Sequence, residues 1–188
     1  MGSFIEDFLG NMGPQVTEQL ASTLGIGKET SAAIIPQVLP MILSGLKKQK
    51  DNYGGEPRVE HILNKYGSSS VLDDIAGLFS TKAKDPNPDP TLGGLLGNAG
   101  IEATNLFSKN HGVDSGIASK IIPMLAPVVL GYLTKTKDSG AGVSGIASLL
   151  DADGDGNILD DVAGFFGISG AAGDIVGGLL GGLFGGKK

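Results

Sequence analysis

Between Asp151 and Asp161 the chain reads DADGDGNILDD, an acid spacing that suits a cation. Asp151, Asp153 and Asp155 stand at alternate positions, so a tight loop brings their carboxylates toward one point. A hard cation such as calcium needs several oxygens around it at once, and such a loop supplies them. Gly156 permits the sharp turn, and Ile158 offers an apolar anchor to a core. Asp160 and Asp161 follow as two further acids, each open to two roles. They can complete the oxygen set, or they can serve the start of the next helix. Ser70-Val71-Leu72-Asp73 and Asn157-Ile158-Leu159-Asp160 each place a cap residue three positions before an acid, as helix starts do. Magnesium fits less well, because it takes few protein ligands and keeps its water.

The chain contains its own control for this loop. Shifted by 87 residues, Leu9–Phe79 aligns with Leu96–Phe166 without a gap and with 24 identities in 71 pairs. The identities fall in blocks. Leu9, Gly10, Asn11 and Gly13 recur as Leu96, Gly97, Asn98 and Gly100. Ile34, Ile35, Pro36 and Pro40 recur as Ile121, Ile122, Pro123 and Pro127. Leu43, Leu46, Lys48, Lys50 and Asp51 recur as Leu130, Leu133, Lys135, Lys137 and Asp138. Leu72, Asp73, Asp74, Ala76, Gly77 and Phe79 recur as Leu159, Asp160, Asp161, Ala163, Gly164 and Phe166. Four blocks at one offset indicate a tandem duplication. In the first copy Asn64, Tyr66 and Ser68 stand where the second has Asp151, Asp153 and Asp155, yet Asp73 and Asp74 are retained. The Asp pair persists without the loop, so one calcium site is expected, not two.

The elements that position these residues read as helices. Phe8, Met12, Val16, Leu20 and Leu24 recur every four residues, the stripe of one amphipathic helix. A second helix is expected from about Thr30 to Lys50, with its counterpart from about Ser115 to Lys137. Lysines at both ends suit the negative end of a helix dipole. Short helices should follow near Arg58–Lys65 and Val71–Phe79, and again near Val143–Leu150 and Ile158–Phe166. Each central helix holds two prolines four apart, which predicts a kink set by packing, since an interior proline costs roughly 3 kcal/mol. No period-two alternation is long enough to predict a strand. The fold class is therefore all-α: a tandem duplication of an approximately 87-residue helical unit with kinked central helices and a C-terminal glycine-rich helix. The first repeat occupies residues 1–80 and the second 92–167. Residues 81–91, TKAKDPNPDPT, form an extended, solvated linker.

Composition excludes several functions. The chain has no cysteine, hence no disulfide or thiolate chemistry. Net charge is −6 and Arg58 is the only arginine, which argues against nucleic acid as a partner. Lys47, Lys48 and Lys50 read as a solvated helix end. The histidines, His61 and His111, do not recur in the duplicate and read as surface or helix-end residues. No HExxH, GxSxG or phosphate-loop pattern is present, so no catalytic residue and no enzyme activity is expected. The uncharged runs 32–46 and 121–133 are shorter than a spanning helix of roughly 17–25 residues and read as core.

Two resemblances follow from these motifs. The loop at Asp151–Asp161 resembles those of EF-hand, dockerin and related calcium-binding repeats. It implies Asp151, Asp153 and Asp155 as side-chain ligands and Asn157 as a carbonyl ligand. The pattern departs at its twelfth position, where Val162 replaces the bidentate Glu. The combination IIPxxxPxxL, then VLDDIAGLF or ILDDVAGFF, then GGLLGGLFGG is similar to the bacterial domain-of-unknown-function family 937. That resemblance implies a bacterial helical protein and carries over no catalytic residue.

The final segment adds one more feature. Gly177–Gly186 reads GGLLGGLFGG, two registers of GxxxG that allow close backbone packing. It repeats the GGLLG of Gly93–Gly97, like the opening of a third copy. Helix there needs a contact, because each glycine costs about 0.8–1.0 kcal/mol against alanine. A C-terminal helix over 168–188 is expected to cap the second copy or to dock on another molecule, giving a homo-oligomer or another protein as partner. Membrane insertion of this tail is the alternative. Glu6 and Asp7 stand where a secretion signal carries positive charge, so a cytoplasmic location is favoured.

Overall fold

Local caps and apolar spacing set the first elements of the computed structural model, which describes residues 4–149. Helix α1 spans Phe4–Asn11 and α2 spans Gly13–Leu24. The stripe expected as one helix is thus divided at Met12. Pro14 lies in the first turn of α2, where its missing N–H is no loss. The division is slight, because Met12 N–H donates to Phe8 O at 2.7 Å and Val16 N–H to Met12 O at 2.9 Å. Phe8, Val16, Leu20 and Leu24 all remain buried on one side. Gly25 ends α2 with φ 67°, and Ile26 N–H reaches back to Ala21 O at 3.1 Å. That left-handed turn is open to glycine without strain.

Helix α3 runs Lys28–Tyr53, followed by α4 at Gly55–Tyr66, a 3₁₀ turn at Ser69–Leu72 and α5 at Ile75–Ala83. The helix expected over Val71–Phe79 therefore starts later. Asp74 is its N-cap, accepting from Gly77 N–H at 2.8 Å, rather than Ser70. Ser70 bonds instead to the Ser68 hydroxyl, 2.7 Å away, inside the 3₁₀ turn.

The second half contains α6 at Asn98–His111, α7 at Ser115–Thr136, a π turn at Lys137–Ala141 and α8 at Gly142–Leu149. Helix α6 closes at Gly112 with φ 64°, the residue aligned with Gly25. Asp114 caps α7, accepting from Gly116 N–H at 2.9 Å and Ile117 N–H at 3.3 Å. Among the described residues every regular element is helical.

Both central helices keep their prolines inside continuous helix: Pro36 and Pro40 in α3, Pro123 and Pro127 in α7. Residues 38–47 are buried without interruption, so α3 is enclosed on all its faces over that stretch. A helix apolar all round is a core helix. By length and composition alone, α3 and the segment Ser115–Gly140 could cross a membrane, but 67% of each apolar window is buried within the protein. The sequence argument for core rested on short uncharged runs. The helices are longer than those runs, and burial against neighbouring helices is what accounts for their apolar character.

The two halves share one core. Helix α7 packs against α3, α4, α5, α6, α8 and the 3₁₀ turn, so the later elements of the first half lie on the central helix of the second. The N-terminus joins them. Phe8 meets Tyr132 of α7 edge-on at 5.4 Å, Phe4 lies 5.6 Å from the same ring, and Asn11 Nδ2 donates to the Tyr132 hydroxyl at 3.1 Å.

Two surface expectations are corrected. Lys47 is not solvated: its side chain is 9% exposed and its ammonium lies 2.8 Å from Asp51 Oδ2, one turn on. The stem packs while the i,i+4 carboxylate satisfies the charge. Nor is the 81–91 segment simply extended. Thr81–Ala83 belong to α5, and the Lys120 ammonium donates to the Ala83 carbonyl. Asp85 and Asp89 fold the remainder into turns through Asn87 N–H and Thr91 N–H, each at 2.9 Å.

Candidate functional site

Two clefts flank Tyr66, the last residue of α4. The first, of about 300 Å³, lies between the end of α3, one face of α4 and the Leu92–Leu95 turn. Its chemistry comes mainly from α4. Arg58, His61 and Lys65 are spaced i, i+3 and i+7, which places them on one helix face. Val59 and Leu63 are buried on the far side of α4, and Ile62 is buried beside the basic row in the cleft, so the basic face is held outward. Arg58 Nε donates to Gln49 Oε1 at 3.0 Å, and Gln49 is itself buried in α3. The Lys65 ammonium stands 4.9 Å from the centre of the Tyr66 ring, within cation–π range. Tyr53 and Tyr66 are 61% and 46% exposed, and both border this cleft. Among the described residues no carboxylate lines it.

The second cleft, about 290 Å³, lies on the other side of Tyr66 against the proline face of α7. Pro123 and Pro127 form its apolar wall, with Asp85, Asp89 and Lys82 opposite. The Asp89 carboxylate accepts from the Thr91 hydroxyl, from Gly93 N–H at 2.8 Å and from Thr91 N–H at 2.9 Å. The Thr91 hydroxyl and then Gly93 N–H lower its pKa below the ordinary 3.8, against a small opposing effect of burial. Its acceptors serve the turn that forms the wall shared by the two clefts.

The sequence-derived metal residues, Asp151, Asp153, Asp155, Asn157, Asp160 and Asp161, lie outside the described residues, as does the glycine tail. Among the described residues no group of three or more His, Asp or Glu side chains is placed to hold a metal ion. The residues aligned with the first three at the 87-residue offset are described. Asn64 and Tyr66 belong to α4, which extends through the stretch aligned with Asp151 and Asp153, and Ser68 is the residue before the 3₁₀ turn. The histidines sit as expected at surface and helix end. His61 is exposed on α4, and His111, last in α6, has its Nε2 3.2 Å from Gln37 Nε2.

The family model described as "Bacterial protein of unknown function (DUF937)" matches residues 6–136 and again residues 133–188. The chain belongs to this family. No curated protein and no solved structure matches it. In this DUF937 member the basic cleft escaped sequence reasoning, which treated His61 alone and Arg58 only as a count. The i, i+3, i+7 spacing of Arg58, His61 and Lys65 was the available signal. It became a site only when α3 and the Leu92–Leu95 turn closed around it.

Proposed function

We propose that this chain is a non-catalytic, duplicated helical interaction or assembly protein whose second half is stabilised or switched by one calcium ion. One observation carries the calcium reading: the acid spacing of Asp151, Asp153 and Asp155, present in one copy and replaced by Asn64, Tyr66 and Ser68 in the other. In the first half α4 runs on through the aligned Asn64 and Tyr66, which supports a single site. Asp74 supports an assignment among the remaining acids. It caps α5, and on the 87-residue alignment we assign the helix-start role to Asp161 and the ligand role to Asp160. The equivalent central helices, α3 and α7, are the kinked cores of the two units in this reading. The glycine-rich segment Gly177–Gly186 supplies the assembly contact, because small residues four apart let backbones meet closely.

Calorimetry on the full chain tests the ion. Calcium should bind once, with a Kd of about 10⁻⁵–10⁻³ M, since the bidentate twelfth-position Glu is missing. Asp153→Ala should abolish the heat. Silence in the wild type, or unchanged heat in the variant, rejects the site. Molar mass in solution with and without calcium tests assembly, and Gly181→Leu should reduce that mass. A monomer in both conditions rejects self-assembly, and detergent-dependent membrane partition would transfer the tail to an anchoring role.

A further inference from the structure

We infer that the basic cleft on α4 is a binding site for a small phosphate ester carrying a planar ring. In a chain of net charge −6, this 300 Å³ cleft is lined by Arg58, His61 and Lys65 and, among the described residues, by no carboxylate. Arg58 and Lys65 supply two fixed positive charges, which match the −1.5 to −2 of a phosphate monoester near neutral pH better than the single charge of a carboxylate. The Arg58 guanidinium is already oriented. Its Nε is engaged by buried Gln49 at 3.0 Å, which leaves the two terminal nitrogens as a fork for paired phosphate oxygens. Lys65 is held over Tyr66 by its charge while its three N–H donors stay available.

The ring follows from the tyrosines. Tyr53, Tyr66 and Ile101 are the large apolar side chains most exposed among the described residues, and two of the three border this cleft. Exposed aromatic surface gathered at a concave basic site is suited to stacking a flat ligand. This inference uses no residue of the calcium loop and stands or falls apart from it.

The test is titration of the full chain with phenyl phosphate, followed by calorimetry and by the tyrosine side-chain signals in NMR. Saturable binding in the millimolar range or tighter is expected, weakening as salt rises. Inorganic phosphate and benzoate should each bind at least about tenfold more weakly, one lacking the ring and the other the second charge. Arg58→Gln and Lys65→Gln should each weaken phenyl phosphate by about tenfold or more; Lys65→Gln should leave thermal unfolding unchanged because its side chain is exposed, whereas Arg58→Gln also gives up the Gln49 hydrogen bond and should melt somewhat lower. Absence of saturable binding, or binding indifferent to both substitutions, overturns the proposal. Equal affinity for inorganic phosphate would overturn the ring, and tighter binding of an acidic peptide than of phenyl phosphate would make the cleft a protein-docking site instead.

Discussion

Gly67 lies so close to α7 that a Cβ built on it would stand 2.7 Å from the Leu130 carbonyl oxygen. One residue along, Gly131 meets the Ser68–Val71 segment in the same way, with its would-be Cβ 2.8 Å from the Ser68 carbonyl oxygen and 2.8 Å from Val71 Cγ2. The two glycines let the end of α4 and the 3₁₀ turn settle directly on the backbone of the central helix. The obstacle at each is main chain, which cannot swing aside as a side chain would.

Gly67→Ala and Gly131→Ala should therefore each destabilise the fold, by roughly 1–3 kcal/mol. Gly10→Ala is the control. That position in α1 has nothing within 4 Å of its would-be Cβ, and alanine should stabilise by roughly 0.5–1 kcal/mol. Urea denaturation midpoints compare the three. A Gly131→Ala midpoint at or above the wild-type value would contradict the close approach.

The duplicated Asp pair should separate under mutation. Asp74→Ala removes the acceptor for Gly77 N–H and should lose about 0.5–2 kcal/mol. Asp73 is exposed at the end of the 3₁₀ turn, and Asp73→Ala should stay within about 0.5 kcal/mol of wild type. Gly77→Ala should resemble Asp74→Ala, because the added methyl would run into the Asp74 carboxylate. Equal losses for Asp73→Ala and Asp74→Ala would refute this division of roles.

Asp89 gives a pH dependence of known sign. Its folded-state pKa is depressed, by the Thr91 hydroxyl first and the Gly93 N–H second. The carboxylate therefore binds its proton more readily in the unfolded chain. Its stabilising contribution is full above the unfolded value, near 3.8, and is lost as pH falls through the lower folded value. Asp89→Asn should melt below wild type at neutral pH, and the gap should narrow only in the acid range below that value. Asp89 is largely exposed, so the effect should be small. A gap that is constant down to acid pH would place the effect of Asp89 elsewhere than in its charge.

Local features were legible to within a few residues. The bounds of α3, α4 and α7 follow from apolar spacing and from lysines in last turns. Helix signals act across about four residues, so a linear reading captures them. The errors were also local in kind. The N-terminal stripe was read as unbroken because its period of four continues through Met12, while Pro14 was given no weight as a first-turn residue. The capping pattern at Ser70–Asp73 reflects spacing alone and is blind to a 3₁₀ turn that uses up the serine, so Asp74 takes the cap.

Glycine shows where linear reading ends. Gly13 and Gly100 are aligned and identical, yet only Leu9 side-chain atoms, at 3.8 Å, approach Gly13, whereas the Pro90 carbonyl lies against Gly100. The sequence by itself determined the helical class, the 87-residue offset and the acid spacing of Asp151–Asp155, because composition, repetition and periodicity are properties of neighbouring residues. Tertiary structure alone decided that α7 carries the later helices of the first half, that Lys47 is buried and that Arg58, His61 and Lys65 line one cleft with two tyrosines. Those outcomes depend on which helices exclude water together. Excluding water rewards buried area without regard to sequence separation, so no local pattern encodes the partner.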